Sequence, residues 1–161
     1  MKYHDAIIDL IYYILKQGTT FLDYIDSGNA YDKIIRNYHQ FNSNGEKVYR
    51  NKILMKQYYR ISEKAWDCLN NNSEIYFEHV YPVKLIKDEL KSLIDKNIVS
   101  KEKIKYILDK TEIVVITKAE AKILDERYKF SNPTNGKDRL TEMNIKIKEE
   151  TEQNNLFRMN N

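Results

Sequence analysis

The chain has 161 residues, 42% of them hydrophobic and 32% charged, and a formal net charge of +3. That length suits one domain around one core, and the small charge permits nucleic-acid contact without requiring it, so any basic surface must be local. The single cysteine, Cys68, excludes an internal disulfide and a cysteine-based zinc site.

The longest apolar run, residues 6–15, is interrupted by Asp9 and is too short to span a membrane. Asp5 and Asp9 stand where the apolar stretch of a signal peptide would begin, so no such leader is expected. A reducing, cytoplasmic setting without membrane contact is therefore expected. Lys, Asn, Ile and Tyr are used heavily, which suggests an AT-rich genome, and four Gly with two Pro leave helix to dominate.

Residues 5–17 read as a well-buried helix carrying Ile7, Ile8, Leu10, Ile11, Ile14 and Leu15, with Gly18 as its stop. A short capped turn follows with Phe21, Leu22 and Ile25. Residues 30–41 form a third helix with Tyr31, Ile34, Ile35 and Tyr38 on one side, and residues 42–45 form a loop. The longest helical candidate is 49–69. There Leu54, Tyr58, Ile61, Ala65 and Leu69 make an apolar face, and Lys52, Lys56, Arg60 and Lys64 make a basic one with Tyr59 beside it. Ser62 offers an alternative, as the cap of a new helix that splits this one in two.

Residues 74–80 read as the first strand, ending in Glu78-His79, and Pro82 suits the first position of the next helix, which runs to about residue 96. Ser100 caps a further helix buried through Ile104, Ile107 and Leu108. Ile113-Val114-Val115-Ile116 is β-branched throughout and reads as a buried strand. Thr117-Lys118-Ala119-Glu120 is a capping box that starts a helix reaching about residue 127. A short helix over 137–143 and a last strand hinted at by Met143, Ile145 and Ile147 complete the ordered part. Nothing marks an internal repeat or a second domain. One domain over 1–161 is expected, with a helical front at 1–72, the strand-bearing core at 73–148 and a polar tail at 149–161.

The order strand, helical insertion, strand, helix is the layout of ββα metal nucleases. Phe77-Glu78-His79-Val80-Tyr81-Pro82 resembles the first motif of HNH-type nucleases, and Ile116-Thr117-Lys118-Ala119-Glu120-Ala121-Lys122-Ile123-Leu124 resembles the segment that closes their metal site. Ile61-Ser62-Glu63-Lys64-Ala65 and Asn135-Gly136-Lys137-Asp138 extend the likeness to small HNH-like proteins. The resemblance implies an α+β, mostly helical fold in which a helical N-terminal part packs on a ββα core with a helical insertion between its two strands. In an active member His79 would be the general base. Glu78 would orient the imidazole or hold metal, and Glu120 or Asp125 would supply oxygens to Mg²⁺ or Mn²⁺. Ala121 stands where the helix ligand is expected and cannot bind metal, so the resemblance implies a degenerate site that uses no cofactor.

A compact chain with a degenerate nuclease core suits inhibition of another protein. In size and residue usage it resembles phage or mobile-element proteins, in particular type II anti-CRISPR proteins, which would bind a Cas9–guide RNA complex and block DNA cleavage. An active metal-dependent endonuclease is the alternative, and a non-catalytic DNA-binding protein is the second. The candidate partner surface is Lys52, Lys56, Tyr59, Arg60 and Lys64; its ordinary reading is a solvated helix face partly neutralised by Glu63 and Asp67. For Glu78-His79 the ordinary reading is a partly buried His bonded to a carbonyl beside a solvated Glu. His4 and His39 read as surface or capping residues, and Cys68 beside Trp66 as packed rather than reactive.

Overall fold

The structure, a computed structural model, describes residues 2–71, 73–110, 112–128, 131–133 and 138–148. Along the chain run helices α1 (Tyr3–Lys16), α2 (Thr19–Ser27), α3 (Ala30–Gln40) and α4 (Lys52–Tyr58), strand β1 (Arg60–Ile61), helix α5 (Glu63–Cys68), strand β2 (Ile75–His79), helices α6 (Val83–Asp95) and α7 (Lys101–Leu108), strand β3 (Ile113–Thr117), and helices α8 (Lys118–Tyr128) and α9 (Arg139–Glu142). The protein is α+β: mostly helical, with one mixed sheet in the order β1-β3-β2. The chain divides into two compact units, Met1–Glu46 with Val83–Thr111, and Lys47–Pro82 with Glu112–Asn161. The expected polar tail and the Asn135-Gly136-Lys137 stretch lie outside the described residues.

The first unit is helical. Helix α1 buries Ile7, Ile8, Ile11, Ile14 and Leu15, and it stops at Gly18, whose φ of 89° suits a residue without a Cβ. The expected short turn after it is a nine-residue helix. Tyr31, Ile35 and Tyr38 line the buried side of α3. Helices α6 and α7 belong to this unit and bury Val83, Ile86, Leu90 and Leu93, and Ile104, Ile107 and Leu108. Pro82 stands just before α6, and Ser100 caps α7 by accepting from the Lys103 amide. The Tyr38 hydroxyl donates to Asp109 at 2.7 Å, and His39 Nε2 donates to the Leu108 carbonyl at 2.9 Å, joining α3 to the end of α7. His39, half-buried, thus caps the last carbonyl of α7 from α3, and burial lowers its pKa to about 4.

The second unit is built on β3. Its β-branched residues alternate between two apolar clusters, as a strand buried on both faces requires. Ile113 and Val115 join Ile61, Met55, Ala65 and Ile75 on the α4–α5 side, while Val114 and Ile116 join Ala121, Leu124, Leu140 and Ile145 on the α8–α9 side. Strand β2 pairs antiparallel with β3, from Ile75↔Thr117 to His79↔Ile113. Strand β1 pairs with it in parallel, Arg60↔Val114 and Ile61↔Val115.

The single helix expected over 49–69 is corrected: it is α4, β1 and α5. Tyr58-Tyr59-Arg60-Ile61 is rich in aromatic and β-branched residues that suit a sheet, and Ser62 then caps α5, its Oγ accepting from the Ala65 amide at 3.1 Å. The Ser62 alternative is therefore the arrangement found. The two-strand expectation is corrected as well, because β1 adds a third strand. The hinted last strand reduces to a bridge, Ser62↔Ile147, with Lys148 N–H donating to the Ile61 carbonyl at 2.8 Å and Glu63 N–H to that of Lys146 at 3.0 Å.

Candidate functional site

Glu78 and His79 end β2, and both are buried. Neighbours in a strand point to opposite faces. Tyr76 and Glu78 face the α8–α9 side, and Ile75, Phe77 and His79 alternate with them toward the α4–α5 side. The expected base and its expected acidic partner therefore do not share a face.

Glu78 meets Arg139, the first residue of α9, in an ion pair in which the arginine is only 3% exposed. The same guanidinium donates from Nη1 to the Tyr128 carbonyl at 2.8 Å, from Nη2 to the His79 carbonyl, and from Nε to the Val80 carbonyl at 3.3 Å. One side chain thus fastens the end of β2 to the end of α8. The planar five-donor fork of arginine makes that possible; a lysine ammonium would not reach as many acceptors. Glu78 is not the solvated residue that the ordinary reading supposed. Sequence reasoning passed over Arg139; its one local signal is a cation beside Leu140 directly after the cap Asp138, whose Oδ1 accepts from the Thr141 amide.

Glu120 is buried and held in place. It is the acidic half of the capping box, accepting from the Thr117 amide at 2.8 Å and the Thr117 hydroxyl at 3.0 Å, while Thr117 Oγ1 accepts from the Glu120 amide. The Ser62 hydroxyl donates to the same carboxylate oxygen at 2.8 Å, tying the start of α5 to the start of α8. Replacing Ser62 with alanine is expected to cost about 1–2 kcal/mol, since a cap and a buried donor to Glu120 go together. Urea unfolding measures this, and a loss below about 0.5 kcal/mol would show that the bond carries no stability.

Ala121 is buried in the α8–α9 cluster, and Asp125 is exposed. With Tyr76, Lys118, Ala121, Lys122 and Glu126, Asp125 lines a shallow cleft of about 500 Å³. Among the described residues no three of His, Cys, Asp and Glu converge on a point that could hold a metal ion. Of the expected donors, Glu78 holds a guanidinium, Glu120 holds three hydrogen-bond donors, His79 alternates to the other face, and Asp125 alone is exposed.

The basic stripe is dispersed by the break in the helix. Lys52 and Lys56 remain on α4, Arg60 on β1 pairs with Glu112, and exposed Lys64 lies on α5. Lys52 Nζ donates to Asn70 Oδ1 at 3.0 Å, and Lys56 Nζ lies 4.6 Å from the centre of the Trp66 ring. Tyr59 is buried against the sheet, 6.3 Å edge-on to Phe77, and burial raises the pKa of its hydroxyl. Cys68 packs against the same core. No protein-family model, curated protein or solved structure matches this chain. Among the described residues no helix is long and apolar enough to cross a membrane.

Proposed function

We propose that the chain is a non-catalytic binding protein on a degenerate HNH-like ββα scaffold, and that it inhibits a Cas9 effector by binding the Cas9–guide RNA complex. The observation that carries the non-catalytic part is the commitment of the acids. Glu78 neutralises Arg139 and Glu120 serves Ser62 and Thr117, so two of the three acids that would hold Mg²⁺ or Mn²⁺ are committed to holding the sheet to its helices, and exposed Asp125 belongs to no metal-holding group of three His, Cys, Asp or Glu among the described residues. The Cas9 part rests on the likeness of size and residue usage to anti-CRISPR proteins. Such a protein works by covering a nuclease domain, occupying the DNA channel or blocking the conformational step that licenses cutting.

Two assays test the two parts separately. Incubated with plasmid DNA and Mg²⁺, Mn²⁺ or Ni²⁺, the protein is expected to leave the DNA intact, and His79→Ala to behave identically. Metal-dependent nicking that disappears in His79→Ala would establish the endonuclease instead. Added to a panel of Cas9–guide complexes, the protein is expected to co-purify with at least one and to suppress its cleavage. Failure with every member would remove the inhibitor reading.

A further inference from the structure

In the first unit most cations reach carboxylates, Arg36 to Asp32, Lys84 to Asp88, Lys87 to Asp26, Lys91 to Asp23, Lys101 to Asp9 and Lys110 to Glu89, and Lys16, Lys101 and Lys110 also lie over the rings of Tyr12 and Tyr106. On the α4–α5 side of the sheet cations lie over aromatic rings. Lys56 Nζ and Lys148 Nζ lie 4.6 and 5.9 Å from the centre of the Trp66 ring, and Lys47 Nζ and the Arg50 guanidinium lie 5.8 and 5.0 Å from that of Tyr49. Lys52, one turn before Lys56, donates to the Asn70 amide oxygen at 3.0 Å. Among the described residues none of these five cations meets a carboxylate, although Glu63 and Asp67 are exposed on α5.

A ring holds an ammonium in place without neutralising it, and at an exposed site the attraction is worth only about 0.5–1 kcal/mol. The positive charge stays available to a polyanion. Tyr49 lies against Phe77 with the rings tilted 42° and their centres 4.2 Å apart, and Trp66 packs on the same apolar cluster as Phe77, so both ring-and-cation groups belong to one layer over one sheet face. Four of the five cations are lysines, point charges able to meet successive phosphates. Positive charge interleaved with aromatic rings is the chemistry that follows a single-stranded backbone and receives its bases.

We propose that the α4–α5 layer binds single-stranded nucleic acid, with Lys52, Lys56 and Lys148 contacting phosphates and Trp66 meeting a base. This surface is separate from the Glu78–Arg139 end of the sheet and does not depend on the inhibitor reading.

Trp66 is the only tryptophan, so its emission reports this surface alone. Titrating the full chain with an oligothymidylate of about 16 nucleotides, the upper site size for one small domain, is expected to change that emission saturably. With three phosphates engaged, log affinity should fall against log salt with a slope of roughly −2. With labelled oligonucleotide read by anisotropy, Lys56→Gln/Lys148→Gln is expected to bind roughly tenfold more weakly and with a slope near about −0.7, one phosphate's worth. Lys84→Gln/Lys105→Gln, in the other unit, is expected to bind as the parent does. The proposal is overturned if the oligonucleotide does not bind at low salt, if both double variants weaken it equally, or if polyglutamate of the same length displaces it at equal concentration. The last result would mark an acidic protein surface as the ligand.

Discussion

Replacing Arg139 with alanine is expected to destabilise the second unit by about 3–5 kcal/mol, the cost of stripping one partner from a buried ion pair. The effect is large because the guanidinium does two jobs. It compensates the Glu78 carboxylate inside the sheet, and it donates to the carbonyls of His79, Val80 and Tyr128. Arg139→Lys should recover only part of the loss, since one ammonium cannot reach both the carboxylate and the carbonyls. Arg139→Met combined with Glu78→Gln should be milder than Arg139→Ala alone, because no charge is left buried. Urea denaturation of the three variants decides this. A cost under about 1 kcal/mol for Arg139→Ala would place the pair among ordinary surface ion pairs.

Acidification is expected to destabilise the first unit between pH 6.5 and 4. Burial, with His4 nearby, lowers the His39 pKa from an ordinary value of 6.5 to about 4, against the opposing pull of its bond to the Leu108 carbonyl. Across that interval the unfolded chain carries the proton and the folded chain does not, so stability rises with pH. The contribution is fully present above pH 6.5 and is lost as pH falls toward 4, by at most about 3 kcal/mol after allowing for the partial exposure of the ring. His39→Gln retains a donor for Leu108 and does not titrate. The difference between parent and variant melting temperatures at pH 7 and 4.5 therefore isolates this histidine from the carboxylates. Identical pH dependence in the two proteins would assign the acid sensitivity to another group.

What was legible in the sequence is what local chemistry determines. The capping box at Thr117 and Glu120, the cap at Ser100 and the stop at Gly18 each involve residues within one helical turn, and all are found in place. The β-branched run at β3 announced itself because every residue in it is buried. Strand β1 was hidden because two residues carry almost no period; its partners Val114 and Val115 lie more than fifty residues further on. The four-residue spacing from Lys52 to Lys64 is genuine in the sequence, and it misled because pairing with β3 outweighs helix propensity at Tyr59-Arg60-Ile61. At the candidate site, the sequence shows that Glu120 has a capping role and that Ala121 is apolar. It does not show that Glu78 has a partner, because Arg139 lies 61 residues away.

The interleaving of the two units also sets the order in which a ribosome delivers them. The first unit needs nothing beyond Thr111, so its whole complement of helices has been synthesised before β3 begins. The second cannot close until then, for β1 and β2 both pair with β3, and Arg139 follows still later. During synthesis, Arg60-Ile61 and residues 75–79 therefore wait as strand segments without a neighbour, the state in which edges attract the wrong chain. The helical insertion between β2 and β3 lengthens that wait by about thirty residues, or a few seconds at ordinary elongation rates. It also makes the central pairing of the sheet a long-range contact, of the kind that slows folding.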